Sequence, residues 1–414
     1  MPDQRVELCF ASQHFFPLHG GGTLRFLRYF PGLRQRGIHT RVVTGTPKSS
    51  KWIDTDFTRA WSRYAIGETI PAEPIDGTPI HRIRLPEEKG WRRLILFNRE
   101  IVSFCRQPGY SPHVVQIFQA IPHRSIPWLR QLRRRGIAVA YAYTAPAKLP
   151  ASPLKRIIRR WALRELSRHL DCIIAGSAAM GRHARELGFR SRIDVIPNGV
   201  DLKRFHPGRD SAQWQRLRAS LGMSDQSIMI ATVGSVIPGK GCDLMLEAWA
   251  SLAQRFPQAH VVIVGARFDP DHYQKGEFEK KIASLIASSG AGDRVHFTGH
   301  VDDIELYYRS CDIFVFPTQK EGMPNVVLEA MASAVPVILT PFPTLSEDLG
   351  RPGQDFLLIE RQPQALASEV ERLIRDAEYR RDLGRRGRRW VERTMDLDHV
   401  LDRYAALYRE LARR

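Results

Sequence analysis

Short apolar strands alternate with helical segments along the whole chain, and the alternation runs in two separate series. In the first, "RVELCFAS" (Arg5–Ser12) reads as a strand, a glycine-rich loop "PLHGGG" follows, and "TLRFLRYFPGLRQRG" reads as a helix closed by Gly37. "HTRVVTG", "HVVQIF", "IAVAYAYT", "DCIIAGS" and "IDVIPNGVD" supply further strands. A polar stretch around Pro207 and Gly208 reads as a linker. Beyond it "IMIATVGSVI", "AHVVIVGA", "RVHFTGHV", "DIFVFPT", "VPVILT" and "DFLLI" repeat the pattern. Apolar strands joined by helices predict parallel sheets covered on both faces, hence an α/β chain of two doubly wound, Rossmann-like domains. Ligands in such sheets sit at the carboxyl ends of the strands, and two sheets facing one another would make a cleft.

A chain of 414 residues, 43% of them apolar, exceeds what one core usually supports, which agrees with two domains. The five cysteines are widely spread without a C-x-x-C pair and read as buried free thiols. No apolar run approaches the ~18 residues of a membrane span, and the N-terminus lacks a signal-peptide pattern, so a cytoplasmic location is expected. Charge is uneven. Residues 1–199 carry 33 Lys and Arg against 14 Asp and Glu, net +19, whereas residues 200–414 are net −1. The excess concentrates in "LRQLRRRG" and in "KRIIRRWALRELSRH" (Lys155–His169), where Ile157, Ile158, Trp161, Leu163 and Leu166 interleave with arginines as in an amphipathic helix with a cationic face. Such a face suits anionic lipid, an anionic substrate or plain solvation. No nucleic-acid-binding module accompanies it, so no nucleic-acid partner is expected.

The stretch "QKEGMPNVVLEAMASAVPVI" puts Glu321 in a turn and Glu329 about two turns into the helix that follows. Pro324 and Asn325 suit the first turn of that helix. Backbone N–H groups at a helix start favour a phosphate, and a carboxylate accepts two hydrogen bonds from vicinal hydroxyls. One acid for a sugar and one for a ribose, with a diphosphate between them, would be a nucleotide-sugar site.

With "FFPLHGGG", "VIPNGVDLKRFHP", "VGSVIPGKGCDLMLEAW", "EGMPNVVLE" and the final "VLDRYAALYREL" in this order, the chain resembles the retaining GT-B glycosyltransferases of the family-4 type over nearly its whole length. The resemblance implies an N-terminal acceptor-binding domain over 1–199, a nucleotide-sugar-binding domain over 200–394, and a last helix, about 395–414, that crosses back onto the first. It implies that Glu321 contacts the transferred sugar, Glu329 the ribose hydroxyls and Lys240 the diphosphate. The backbone of Gly322, Met323, Pro324, Asn325 and Val326 would meet phosphate or sugar, and Gly21 and Gly22 would approach the donor from the N-terminal domain. It further implies a nucleoside-diphosphate sugar as co-substrate with no other cofactor, no metal, and a glycan or lipid-linked acceptor in cell-surface polysaccharide or glycolipid synthesis.

The sequence departs from the family at three places. Ser235 stands where an arginine is usual, Gln116–Phe118 ("QIF") replaces H-x-H, and Tyr143 lies near the place of another histidine. His123 is the candidate to stand in as a catalytic group, and His14 and His19 flank the glycine loop. Asp54 and Asp56 form a D-x-D in a polar loop, and Asp302–Asp303 reads as a helix N-cap. These departures keep a catalytically silent nucleotide-sugar-binding subunit as the alternative reading.

Overall fold

The computed structural model describes residues 5–15, 21–46, 60–71, 74–86, 90–118, 123–143, 151–208, 212–266, 276–345 and 347–414. Two compact units emerge, one of residues 1–197 with 398–414 and one of residues 198–397.

The first unit holds an eight-stranded sheet: β1 (Val6–Ser12), β2 (Ile38–Gly45), β3 (Thr69–Ile70), β4 (Ile80–Ile83), β5 (Val114–Ile117), β6 (Ala138–Tyr143), β7 (Cys172–Ala175) and β8 (Arg192–Val195), in the order β3-β4-β2-β1-β5-β6-β7-β8. Seven of these strands run parallel. The edge strand β3 is antiparallel to β4, a two-residue element too short to show a period in sequence. The chain's last helix, Leu397–Ala412, buries Val400, Leu401, Tyr404, Tyr408 and Leu411, a helical stripe that lies against this unit. The Tyr404 ring stands 5.8 Å from Phe26 and 5.9 Å from Tyr29. Leu401 fills the space where a side chain on Gly32 would have to lie. Arg36 then ties the helix at its start, pairing with Asp398 at 3.0 Å and Asp402 at 2.6 Å.

The amphipathic segment forms a helix, Pro153–Ser167. Its faces differ from the sequence expectation. Leu163 and Leu166 are buried in the core, while Leu154, Ile157, Ile158 and Trp161, spaced i, i+3, i+4 and i+7, are 57–68% exposed. The exposed apolar stripe therefore occupies the N-terminal half of the helix, and these two leucines hold its other end down.

The second unit holds β9 (Ile228–Val233), β10 (Ala259–Val264), β11 (Val295–Gly299), β12 (Ile313–Phe316), β13 (Val337–Leu339) and β14 (Leu357–Leu358), all parallel, in the order β11-β10-β9-β12-β13-β14. Period-two alternation divides its core. Ile313 and Val315 pack on one face with Trp249, whereas Phe314 and Phe316 pack on the other with Met331. Strand order reverses between β9 and β12, the switch point of the sheet, and ligand crevices in such folds lie outside the carboxyl ends of these two strands.

Leu401→Ala removes the side chain that seats the last helix. It should destabilise the first unit by about 2–5 kcal/mol, read by hydrogen exchange as faster opening of β1 and β5 with the strands of the second unit unchanged.

Candidate active site

The crevice between β9 and β12 is built by two loops, 234–241 and 317–324. The first ends at Gly241, which stands at the N-cap of helix Cys242–Leu252 with φ 85°, a left-handed conformation that favours glycine. Space makes the same demand, because a Cβ on Gly241 would overlap the Pro317 carbonyl. Gly239, also left-handed at φ 86°, presents its carbonyl to the Gln319 N–H at 2.8 Å and the Thr318 hydroxyl at 3.4 Å. Arg361 donates to the Pro317 carbonyl from the far side. The two loops are thus clamped backbone to backbone, and Lys240 projects from the clamp.

Its ammonium meets Glu321 in an ion pair, with both side chains between one-fifth and one-third exposed. Eighty-one residues separate the partners in sequence. The turn that carries Glu321 is fixed by Thr344, a buried residue whose hydroxyl donates to the carbonyls of Glu321 and, at 3.3 Å, Gly322. Asn198 steadies the next residues, its Nδ2 donating to the Met323 carbonyl at 3.0 Å and the Asn325 Oδ1 at 2.5 Å. Helix Asn325–Ala332 starts there with Pro324 at its N-cap and no acid in its first turn, so its positive dipole end stands undiminished beside Val326. Glu329, only 8% exposed, accepts a hydrogen bond of 3.0 Å from the buried Tyr308 hydroxyl, which holds one carboxylate oxygen and fixes its direction.

Ser235 follows Gly234 at the end of β9, partly buried, and its carbonyl accepts from the Ile237 N–H at 2.9 Å. Lys240, Glu321, Gly322, Met323, Pro324, Asn325, Val326 and Glu329 therefore occupy one strand-end region together with Ser235. Asn198, Tyr308 and Thr344 join it without having been singled out. Asn198 lies inside "VIPNGVDLKRFHP", so a signal was there, whereas Tyr308 and Thr344 carry no spacing that marks them.

The first unit carries the remaining candidates. Gly21 and Gly22 open helix Gly21–Gln35. His123 starts a short 3-10 turn, His123–Ser125, and its side chain lies outside the described part of the structure. His19, Asp54 and Asp56 lie outside the described residues. Two of the three departures lie in this unit and acquire physical roles. Gln116 is fully buried and accepts from the Tyr408 hydroxyl of the last helix. Phe118 joins an aromatic cluster 5.6 Å from Phe10 and 5.1 Å from Phe26. Tyr143 bonds His183 Nδ1 at 2.7 Å, and burial lowers the pKa of that histidine. Asp303 occupies the N-cap of helix Ile304–Ser310, yet its side chain makes no cap bond.

Residues 20–199 match the glycosyl transferase 4-like domain and residues 214–390 match the glycosyl transferases group 1 family. A D-inositol 3-phosphate glycosyltransferase of Nocardia farcinica is 30% identical over 409 residues, covering 93% of this chain and 85% of that protein. The chain belongs to the group 1 glycosyltransferases. The lipopolysaccharide core biosynthesis mannosyltransferase LpsB of Rhizobium meliloti is 33% identical over 182 residues, 44% of this chain and only about half (48%) of that protein. Among solved structures, Anabaena HepE in complex with UDP aligns over 98% of this chain and 100% of that one with a TM-score of 0.74 at 16% identity, a likeness of fold. The fold of this glycosyltransferase is accordingly GT-B, two parallel-sheet α/β units with the last helix returned to the first.

In this glycosyltransferase Gly241→Ala forces both a strained φ and an overlap with Pro317. It should cost ~1–3 kcal/mol of local stability and move Lys240, so that nucleotide-sugar affinity measured by calorimetry falls while far-UV circular dichroism stays native.

Proposed function

We propose that the protein transfers a sugar from a nucleoside-diphosphate sugar to a glycan or lipid-linked acceptor, with retention of anomeric configuration and without a metal. The observation that carries the reading is the convergence of Lys240, Glu321 and the start of helix Asn325–Ala332 at the switch point of one parallel sheet. As the glycosidic bond breaks, negative charge grows on the leaving diphosphate. Lys240 and the helix N-terminus answer it with a cation and a dipole already aimed there, which costs no reorganisation when the bond breaks. Before the donor arrives, Lys240 is neutralised by Glu321. An arriving diphosphate competes for the ammonium and frees the Glu321 carboxylate for the hydroxyls of the sugar. Glu329, oriented by the Tyr308 hydroxyl, is the carboxylate for the ribose hydroxyls.

The acceptor reading draws support from the relatives. LpsB is named for lipopolysaccharide core biosynthesis, and a relative 27% identical over 244 residues, 56% of this chain and 60% of that protein, is named a phosphatidylinositol monomannoside mannosyltransferase. Both names refer to lipid-linked glycans, which fits a first unit suited to an anionic membrane surface. No helix among the described residues is long and apolar enough to cross a membrane. Helix Pro153–Ser167 instead presents Leu154, Ile157, Ile158 and Trp161 to solvent, flanked by Lys155, Arg156, Arg159, Arg160 and Arg164. That combination lies in a headgroup boundary with its arginines on the phosphates. A silent nucleotide-sugar-binding subunit is the second reading, favoured by Gln116, whose side chain is committed to Tyr408.

Turnover separates the two. A thermal-shift screen over UDP-, GDP- and ADP-sugars identifies the donor, since a ligand at ~100 times its dissociation constant adds about 2.7 kcal/mol. With that donor, transfer or hydrolysis should persist in a chelator. Lys240→Ala should lose about 10²–10³ in rate, Glu321→Ala should lower kcat more than donor affinity, and Glu329→Ala the reverse. Binding with no turnover toward any acceptor or water would favour the silent subunit.

Flotation tests the surface. The protein should rise with anionic but not neutral vesicles and be released at ~1 M salt, where the Debye length falls to about 3 Å. Ile157→Ser/Trp161→Ser and Arg159→Glu/Arg160→Glu should each abolish flotation, and an unmutated protein that stays in the soluble fraction at low salt would overturn the membrane reading.

A further inference from the structure

The second unit is close to neutral in sum, but its basic residues are not evenly spread. Helix Ala377–Thr394 carries seven arginines against three acids. Arg386, Arg389, Trp390 and Arg393 recur at i, i+3, i+4 and i+7, so one face of this helix is cationic around a buried indole. That face lines a cavity of about 690 Å³, to which helix Pro363–Arg375 contributes Arg372 and the loop before β14 contributes Arg351. Five guanidinium groups from three chain segments thus converge, and none of the residues assigned to the donor site lines the cavity.

Two of the five are positioned in advance. The Arg372 guanidinium stacks over the Tyr379 ring at 4.2 Å, and Arg386 approaches the same ring at 5.9 Å while its Nε donates to the Gln354 carbonyl at 2.7 Å. Their acid partners are Glu369 at 3.5 Å and Asp382. Asp355, which also lines the cavity, spends an oxygen on the Arg351 backbone N–H at 2.8 Å. Glu392 is taken by Arg388 at 2.6 Å. Among the described residues no ion pair involves the side chains of Arg351, Arg389 or Arg393. Like charges gathered in a concave surface repel one another, and a bound anion removes that cost.

We infer that this cavity is a second anion site, distinct from the donor crevice, that binds a compound carrying two or more phosphate groups. A phosphomonoester brings a charge of about −1.5 to −2 and three acceptor oxygens, which matches several planar guanidinium forks better than singly charged carboxylates do. The volume lies within the ~300–1,000 Å³ of small-molecule sites. The phosphate belongs either to a soluble phosphorylated compound or to a lipid headgroup.

Inorganic tripolyphosphate is the probe, titrated calorimetrically into the full chain at moderate salt. The unmutated protein should show a binding component that survives in Lys240→Ala and weakens about tenfold or more in Arg389→Gln/Arg393→Gln. Both arginines are exposed, so the double variant should keep its unfolding midpoint and its donor turnover. Lower binding of that variant to phosphatidic-acid vesicles would mark a lipid source, and unchanged vesicle binding a soluble one. Equal tripolyphosphate affinity in the double variant and the unmutated protein, or loss of all binding in Lys240→Ala, would overturn the inference.

Discussion

The carbonyl of Pro317 lies where any side chain on Gly241 would have to be, and the strand-end region of the second unit is organised around that contact. Because the loop after β9 is pressed onto the loop after β12, a lysine in the first meets a glutamate in the second. The supports reach outward in layers. Arg361 holds the Pro317 carbonyl, Thr344 holds the turn of Glu321, and Asn198 holds the turn before helix Asn325–Ala332. An exposed ion pair alone is worth little to stability, with a median of about 0–1 kcal/mol. What the Lys240–Glu321 pair contributes here is a cation and a carboxylate held at one place.

The far end of the same helix is held as firmly as its start. Arg388 donates to the Ala332 carbonyl at the helix C-terminus and to the Phe205 carbonyl at 2.7 Å. Gly384 and Gly387 let helix Ala377–Thr394 approach closely, since a Cβ on Gly384 would overlap the Ala334 carbonyl. The arginine-rich helix thus serves two surfaces: its glycine face packs on helix Asn325–Ala332 and the turn after it, and its Arg386–Arg393 face lines the cationic cavity.

Much of this was legible in the sequence because it rests on local rules. Strand-to-helix alternation predicts the two parallel sheets, and Pro324–Asn325 predicts the start of the helix that carries Glu329. What was not legible depends on long-range packing. The tie from Tyr308 to Glu329 needs a tyrosine one helix away to be buried against it, and nothing in its surroundings distinguishes it from a core aromatic. The exposed stripe of helix Pro153–Ser167 differs from the expected one because only tertiary contact decides which apolar residues of an amphipathic segment face inward; Leu163 and Leu166 do, Ile157 and Trp161 do not. The arginine cavity vanished in a net charge of −1 taken over a whole half of the chain. The replacements at Gln116 and Phe118 read as losses against the family pattern, yet the structure uses both as core contacts.

Hydrogen exchange of the intact protein, with and without its nucleotide-sugar donor, tests the central claim most directly, because it reads the two loops independently of turnover. Donor at saturating concentration should slow exchange at the amides of Gly239–Gly241 and of Gly322–Val327 together, since both loops close on one diphosphate. Protection confined to one of these loops, or found only elsewhere in the chain, would contradict the account.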